Sequence, residues 1–305
     1  MSDTPMLRPR VLIPFIVATI IWGTTWIVIR DQLGPVPPTW SIVYRFAAGA
    51  VAMFIYAALT KSPFRIGRQG HVFAVIFGFA QFVLNFNFVY RAEAFITSGL
   101  VAVLFAMLLV PNALLGRVFL KQPLSGRFLL GSLVAVIGVG MLIAQEIRAD
   151  TASANATLVG VVFTLLGVLS ASVANIMQGT VRGKALPMAS TLAWGMLWGT
   201  AMNAVLAFIL TGAPVMEWTP AYIGGVIYLG VFASAIAFTC YFSVIRDVGP
   251  ARAAYSSVLT PILAMIISTV VEDYRWSWLA GAGGVVALAG LLIALSARRP
   301  AAKWG

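Results

Sequence analysis

Apolar stretches of about 17 to 24 residues recur along this chain with only short polar gaps between them, and this repetition constrains the fold more than any other feature. An α-helix rises about 1.5 Å per residue, so each stretch is long enough to cross the roughly 30 Å of hydrocarbon in a bilayer. Ten spans are read, approximately Val11 to Ile29, Trp40 to Leu59, His71 to Tyr90, Ile96 to Leu115, Phe128 to Ala144, Leu158 to Met177, Thr191 to Leu210, Ala221 to Val244, Ala253 to Val271 and Trp278 to Leu295. Of the 305 residues 61% are hydrophobic and 10% charged, and the mean hydropathy is +0.96. A water-soluble domain of this size has no interior large enough for that much apolar surface. The expected class is all-α integral membrane, with the lipid bilayer as solvent. Arg8 and Arg10 precede the first apolar run in the manner of a secretory signal, but the run is long enough to span and lacks a small-residue cleavage site after a short core, so a permanent first helix is expected.

Charge fixes an expected orientation. The net charge of +11 lies in the gaps between spans, without a basic helix or aromatic-basic stripe, so no nucleic-acid partner is expected. When the gaps are assigned alternately to two sides, one side receives 15 Lys and Arg, among them Arg10, Lys61, Arg68, Arg182, Lys184 and Arg298. The other receives 4: Arg30, Arg91, Arg148 and Arg275. By the positive-inside rule both termini are expected in the cytoplasm, which requires an even number of spans. Arg45 alone falls inside a span, about one turn from its outer end, where snorkelling toward the headgroups is expected to accommodate it, with contact to an anionic substrate group as the alternative.

At a spacing of about 150 residues the chain echoes itself: Gly99 with Gly249, Pro111 with Pro261, Gly131 with Gly281, and Gly140 with Gly290. The expected division is 1–150 and 151–305, five helices each. With an odd number of spans per unit, the second unit enters from the opposite side, giving two inverted five-helix repeats. Such halves support two conformations of similar energy, each open to one side, with a substrate held near the midplane where the halves meet.

The ten spans, the segment Leu259-Thr260-Pro261, the acidic position Glu272 after it, the Gly-rich last helix and the early Trp22-Gly23 together resemble the EamA-type branch of the drug/metabolite transporter superfamily over essentially the whole chain. The first unit carries Gln122 where the second has Glu272, a departure from the family pattern in a position expected to be a loop. The resemblance implies a bacterial inner-membrane metabolite exporter whose central cavity is formed mainly by helices 1, 3, 4, 6, 8 and 9. It also points to exporters of amino acids, aromatic ones included, as relatives.

Polar residues inside spans are costly unless they find partners, and they form the candidate substrate site. Gln81 and Asn85, four residues apart, share one face of helix 3; their amides can serve a substrate's carboxylate and amine, or glue the bundle by interhelical hydrogen bonds. Trp22 is far enough from the ends of helix 1 to stack on a cargo. Trp26, Trp194 and Trp198 fit the headgroup boundary better. Asn175 on helix 6, and Tyr255 and Ser256 on helix 9, complete the candidate set. Pro111 and Pro261 each remove a backbone donor and free a carbonyl one turn back, either kinking the helix or offering main chain to a substrate. Small residues at Gly131 to Ala135 and Gly283 to Ala287 allow close helix approach, and these two helices are expected to pack against their own half or through a homodimer.

No catalytic residue, metal or cofactor is expected: Cys240 and His71 are the only residues of their types, and no Walker sequence occurs. No Asp or Glu lies in the middle of a span, so movement of cargo without obligatory proton coupling is expected. The expected function is secondary transport of small neutral or zwitterionic metabolites by alternating access. The alternatives are multidrug or other metabolite efflux by the same fold, or a membrane-embedded enzyme on lipid-linked substrates, for which the scattered outer acids supply no catalytic set.

Overall fold

The computed structural model describes residues 8–121, 123–149, 154–248, 256–273 and 276–296, and among these every regular element is a helix. In chain order they are α1 (Pro9–Asp31), α2 (Pro38–Leu59), α3 (Gly67–Ala92), α4 (Ser98–Phe119), α5 (Gly126–Ala149), α6 (Ala154–Gly179), α7 (Met188–Thr211), α8 (Pro220–Ile245, continuing to Val248), α9 (Ser256–Val271) and α10 (Trp278–Ser296). The first eight are long and apolar enough to cross a bilayer, and the last two carry shorter apolar stretches, Leu259–Val271 and Trp278–Ala294.

Local chemistry sets the ends. Proline opens α1, α2 and α8, where the missing N–H is one of the donors a helix start leaves unpaired. Thr97 and Thr219 cap α4 and α8, their hydroxyls accepting from the Leu100 and Tyr222 amides. At the end of α7 the chain turns at Gly212 with φ +80°, a conformation strained for any side chain.

Cross-links sort the helix ends into two groups. At the end holding the start of α1, Ser62 bonds Ser190, Arg182 donates to the Gln69 carbonyl and Trp194 donates to the Phe64 carbonyl. At the opposite end, Ser41 bonds Tyr222, Tyr44 donates to the Val215 carbonyl, and Glu272 takes Ser98.

The helices pack in intimate pairs. α5 lies along α10, where a methyl on Gly131, Gly138 or Gly290 would collide with the backbone of the facing helix. The small-residue faces therefore meet each other, joining segments on either side of residue 150 rather than each packing within its own half as expected, because glycines on both helices let the two backbones touch. α2 lies along α7, while α1, α3, α4, α6, α8 and α9 surround the centre.

Three helices leave regular geometry near that centre. α3 widens to π turns over Phe79–Leu84, and α8 does so over Tyr228–Ile236, about 150 residues later. α4 breaks at Met107 and Leu108, one turn before Pro111, whose ring cannot follow the Met107 carbonyl in a regular helix. α9 runs through Pro261 from Ser256 onward.

Candidate functional site

A cavity of about 120 Å³ lies at the meeting of α1, α3, α4, α6, α8 and α9. That is several times the roughly 15 Å³ needed to admit a single water, so more than one ligand group fits. Trp22, Gln81, Asn85, Asn175, Ser256 and Pro261 all border it. Pro111 does not; the break it accompanies instead brings Leu108 to the wall. Tyr255 lies outside the described residues.

The aromatic wall is built by α1 and α8. The Trp22 ring packs 4.9 Å from Tyr241 and 5.4 Å from Phe238, and its indole N–H donates to the Ala233 carbonyl at 3.2 Å. That carbonyl lies in the π-widened stretch of α8, where the main chain departs from the regular i to i−4 ladder. Trp26, one turn further along α1, packs its ring 5.2 Å from Phe105, and its buried Nε1 has no acceptor. Trp26 thus borders the cavity rather than a headgroup boundary. Trp194 and Trp198 are elsewhere, against His71 near the start of α3.

The polar wall comes from α3. Gln81 is 3% exposed and Asn85 2%, and neither Gln81 Oε1 nor Asn85 Oδ1 has a donor. Asn87, two residues on, faces the other way: its Nδ2 donates to Asn203 Oδ1 at 2.7 Å, and Asn203 Nδ2 donates to the Phe82 and Gly199 carbonyls. The same helix therefore uses Asn87 to join α7 and leaves Gln81 and Asn85 with unspent hydrogen-bonding capacity at the cavity. An unpaired buried amide oxygen costs about 1–3 kcal/mol, so such atoms are rare in an interior unless something else satisfies them. Thr260 Oγ1, on α9 beside Pro261, is a third unpartnered atom on the wall.

Arg45 departs most from expectation. It does not snorkel: it is 1% exposed, and it borders the cavity from α2. Its Nε donates to Ser234 Oγ at 3.1 Å, and Ser234 in turn donates to the Leu229 carbonyl five residues back, a bond that exists because α8 is π-wound there. The guanidinium carbon stands 4.2 Å from the centre of the Phe86 ring and 5.3 Å from that of Phe46. The sequence signal was the charge itself, set in a span with no acid on the same helix.

Glu93 is the second residue the spans concealed. It follows α3 directly and is 0% exposed, with both carboxylate oxygens lacking a donor. Burial holds its carboxyl well above the usual carboxylate range, and Glu272 pushes the same way against the opposing effect of Arg30 and Arg45. The absence of mid-span acids therefore does not leave the interior without a titratable carboxyl.

The chain is similar to known proteins along most of its length. Residues 10–144 and 158–296 match the EamA-like transporter family. An uncharacterized transporter of Bacillus subtilis, YoaV, is 22% identical over 84% of this chain and 86% of its own length. The protein PagO of Salmonella typhimurium is 22% identical over 90% of this chain and 87% of its own. A protein of Escherichia coli K12 named "Probable amino-acid metabolite efflux pump" is 23% identical over 91% of this chain and 92% of its own. One crystal structure superposes with a TM-score of 0.68 at 18% identity, covering 93% of this chain and 96% of that one, so the fold is shared. The family, YoaV and the Escherichia coli protein are named as transporters or an efflux pump, not enzymes. An apolar bundle with a polar pocket at its centre, matched along both of its halves, is a membrane transporter, and this chain belongs to the EamA-like transporter family.

Proposed function

We propose that this protein is a secondary transporter that exports small neutral or zwitterionic metabolites, amino acids with apolar or aromatic side groups among them. The observation that carries the reading is the pairing of two walls around one cavity. Gln81, Asn85 and Thr260, each with an unpartnered polar atom, line the same space as the packed rings of Trp22, Phe238 and Tyr241. A zwitterion satisfies the first wall and a ring or alkyl group buries against the second. Of the candidate site residues, Trp22, Gln81, Asn85, Asn175 and Ser256 are proposed to contact cargo, with Tyr255 added from the sequence pattern. Pro111 and Pro261 are proposed to let α4 and α9 bend. The name of the Escherichia coli relative supports the same substrate class.

The cycle is proposed to be alternating access between two inverted five-helix units, 1–150 and 151–305, in a bacterial inner membrane with both termini cytoplasmic. The π-widened stretches of α3 and α8, each in the third helix of its unit, support that division. The test is flux of radiolabelled neutral amino acids from proteoliposomes. Saturable flux of leucine and phenylalanine above that of protein-free liposomes is the expected result. Flux confined to dicationic or dianionic compounds would overturn the substrate class.

A further inference from the structure

Within the cavity one charge stands without a counter-charge. Arg45 sits 1% exposed among apolar helices, and among the described residues no carboxylate lies within 4.0 Å of it. Its Nε is used by Ser234, and the Tyr90 hydroxyl lies close to the guanidinium. Its Nη1 is buried and has no acceptor. A guanidinium stays protonated even in the interior, so the charge cannot be discharged by losing a proton. Two phenyl faces soften the desolvation but accept no N–H bond in the plane of the fork, and that plane is where Nη1 points its hydrogens.

Glu93 does not fill the gap. Its own oxygens are unpartnered in the same structure. An ionised carboxylate without donors is far costlier in an interior than the neutral acid, and burial shifts Glu93 toward that neutral form. Arg45, a residue of the cavity lining, is thereby left with a charge for a ligand to balance.

The surrounding atoms restrict which anion that is. Gln81 Oε1, Asn85 Oδ1 and Thr260 Oγ1 border the same space and are available as acceptors. Arg45 is the one charged residue among the described residues lining the cavity, so a dianion such as a phosphate monoester would be only half balanced, whereas neutral amides and a hydroxyl suit one negative group carried beside a donor. We propose that Arg45 is the carboxylate anchor of the cavity: the cargo bears a single carboxylate that takes the Nη1 hydrogens, with its neighbouring polar group received by Gln81 and Asn85. The inference rests on the transport reading above and narrows its substrate class from neutral or zwitterionic compounds to monocarboxylates, α-amino acids foremost.

The test uses the full chain in nanodiscs and four phenyl probes that differ only in their charged groups. Phenylalanine has carboxylate and amine, 3-phenylpropionate the carboxylate alone, phenylalaninamide a neutral amide with the amine, and phenethylamine the amine alone. Calorimetry should find both carboxylates binding the wild type about 30-fold or more tighter than the two probes that lack one, the discrimination expected when a buried charge loses its partner. Arg45→Gln should collapse the difference in affinity between phenylalanine and phenylalaninamide. Arg45→Lys, which keeps the charge but not the planar fork, should fall between. If Arg45→Gln does not fold, the acid-to-amide ratio of the wild type and the Arg45→Lys series decide alone.

Equal binding of acid and amide, wild-type affinity for phenylalanine in Arg45→Gln, or no carboxylate binding at all would each overturn the anchor. Carboxylate-selective binding without flux of any probe in proteoliposomes would instead overturn the transport reading and leave the anchor standing. Flux of the amine probes without carboxylate selectivity would do the reverse.

Discussion

Arg30, in the last turn of α1, holds Nε 3.9 Å from Glu272 Oε1, just beyond the end of α9. Its Nη1 donates to the main-chain oxygens of Glu93 and Ile96 at 2.8 and 3.2 Å. Glu272 also accepts from the Ser98 hydroxyl at 2.5 Å, from Ser268 at 2.6 Å and from the Ser98 amide at 3.3 Å. One carboxylate thus ties α1 and the start of α4 to α9, and serves the first amide of α4 from another helix.

Removing that carboxylate should loosen this end of the bundle without unfolding it. Glu272→Ala takes a charge-assisted acceptor from Ser98 and leaves Arg30 its two carbonyls. Hydrogen exchange of the amides around 96–100 should accelerate about fivefold or more, the scale of losing a helix cap. Exchange there at the wild-type rate would show that the tie contributes nothing to closure.

Glu93 makes the same end sensitive to pH. While the end is closed, burial and Glu272 hold this carboxyl well above its ordinary range, against Arg30 and Arg45, with Asp31 adding to the rise. The closed form therefore holds this proton more tightly than a solvent-exposed carboxyl does. On opening to water the group returns toward about 4.3 and releases it. Acidification should favour the closed end and alkalinisation the open one, and Glu93→Gln, a fixed neutral mimic, should abolish the dependence. Thiol labelling of a cysteine introduced at the buried Ile96, in a Cys240→Ser background and between about pH 5 and 8, measures it. A wild-type profile as flat as that of Glu93→Gln would refute the assignment.

The pairing of α5 with α10 carries a sharper structural consequence. A side chain on Gly138 would strike the Ala287 backbone, while one on Gly281 would meet nothing within 4 Å. Gly138→Val should therefore cost about 3 kcal/mol or more and lower the yield of monodisperse protein, whereas Gly281→Ala should not. Size-exclusion profiles with a fluorescent tag, read across a temperature series, separate the two.

Much of this architecture was legible because hydropathy along a chain reports the solvent around each segment. The expected start of α2 at Trp40 and its end at Leu59 fall within two residues of the helix Pro38–Leu59. What hydropathy cannot report is facing. Gln81, Asn85 and Asn87 look alike in the sequence, and only the packed neighbours show that Asn87 bonds Asn203 while the other two border the cavity. Arg45 was misplaced because distance along the helix suggested an exit to the headgroups, whereas Ser234 and the Phe86 ring hold the guanidinium inside. Glu93 escaped notice because it lies one residue past a span, and burial at a helix end depends on which loops fold over it.

The amide wall gives the last prediction, because stability and transport should move in opposite directions there. Gln81→Leu and Asn85→Leu each remove an oxygen that has no donor in the resting structure. Deleting a buried unsatisfied group relieves a cost of about 1–3 kcal/mol, part of which the altered side-chain shape takes back. Thermal unfolding should therefore occur at the wild-type temperature or somewhat above it. Flux of phenylalanine should nevertheless fall by about tenfold in each variant, the loss of roughly one hydrogen bond to cargo. An Asn87→Leu control reverses the pattern: it breaks the bond to Asn203 and leaves that buried amide short of a donor, so stability falls first. If Gln81→Leu and Asn85→Leu instead lost stability and kept full flux, their amides would belong with Asn87 to the scaffold, and the cargo would be held by the remaining walls alone.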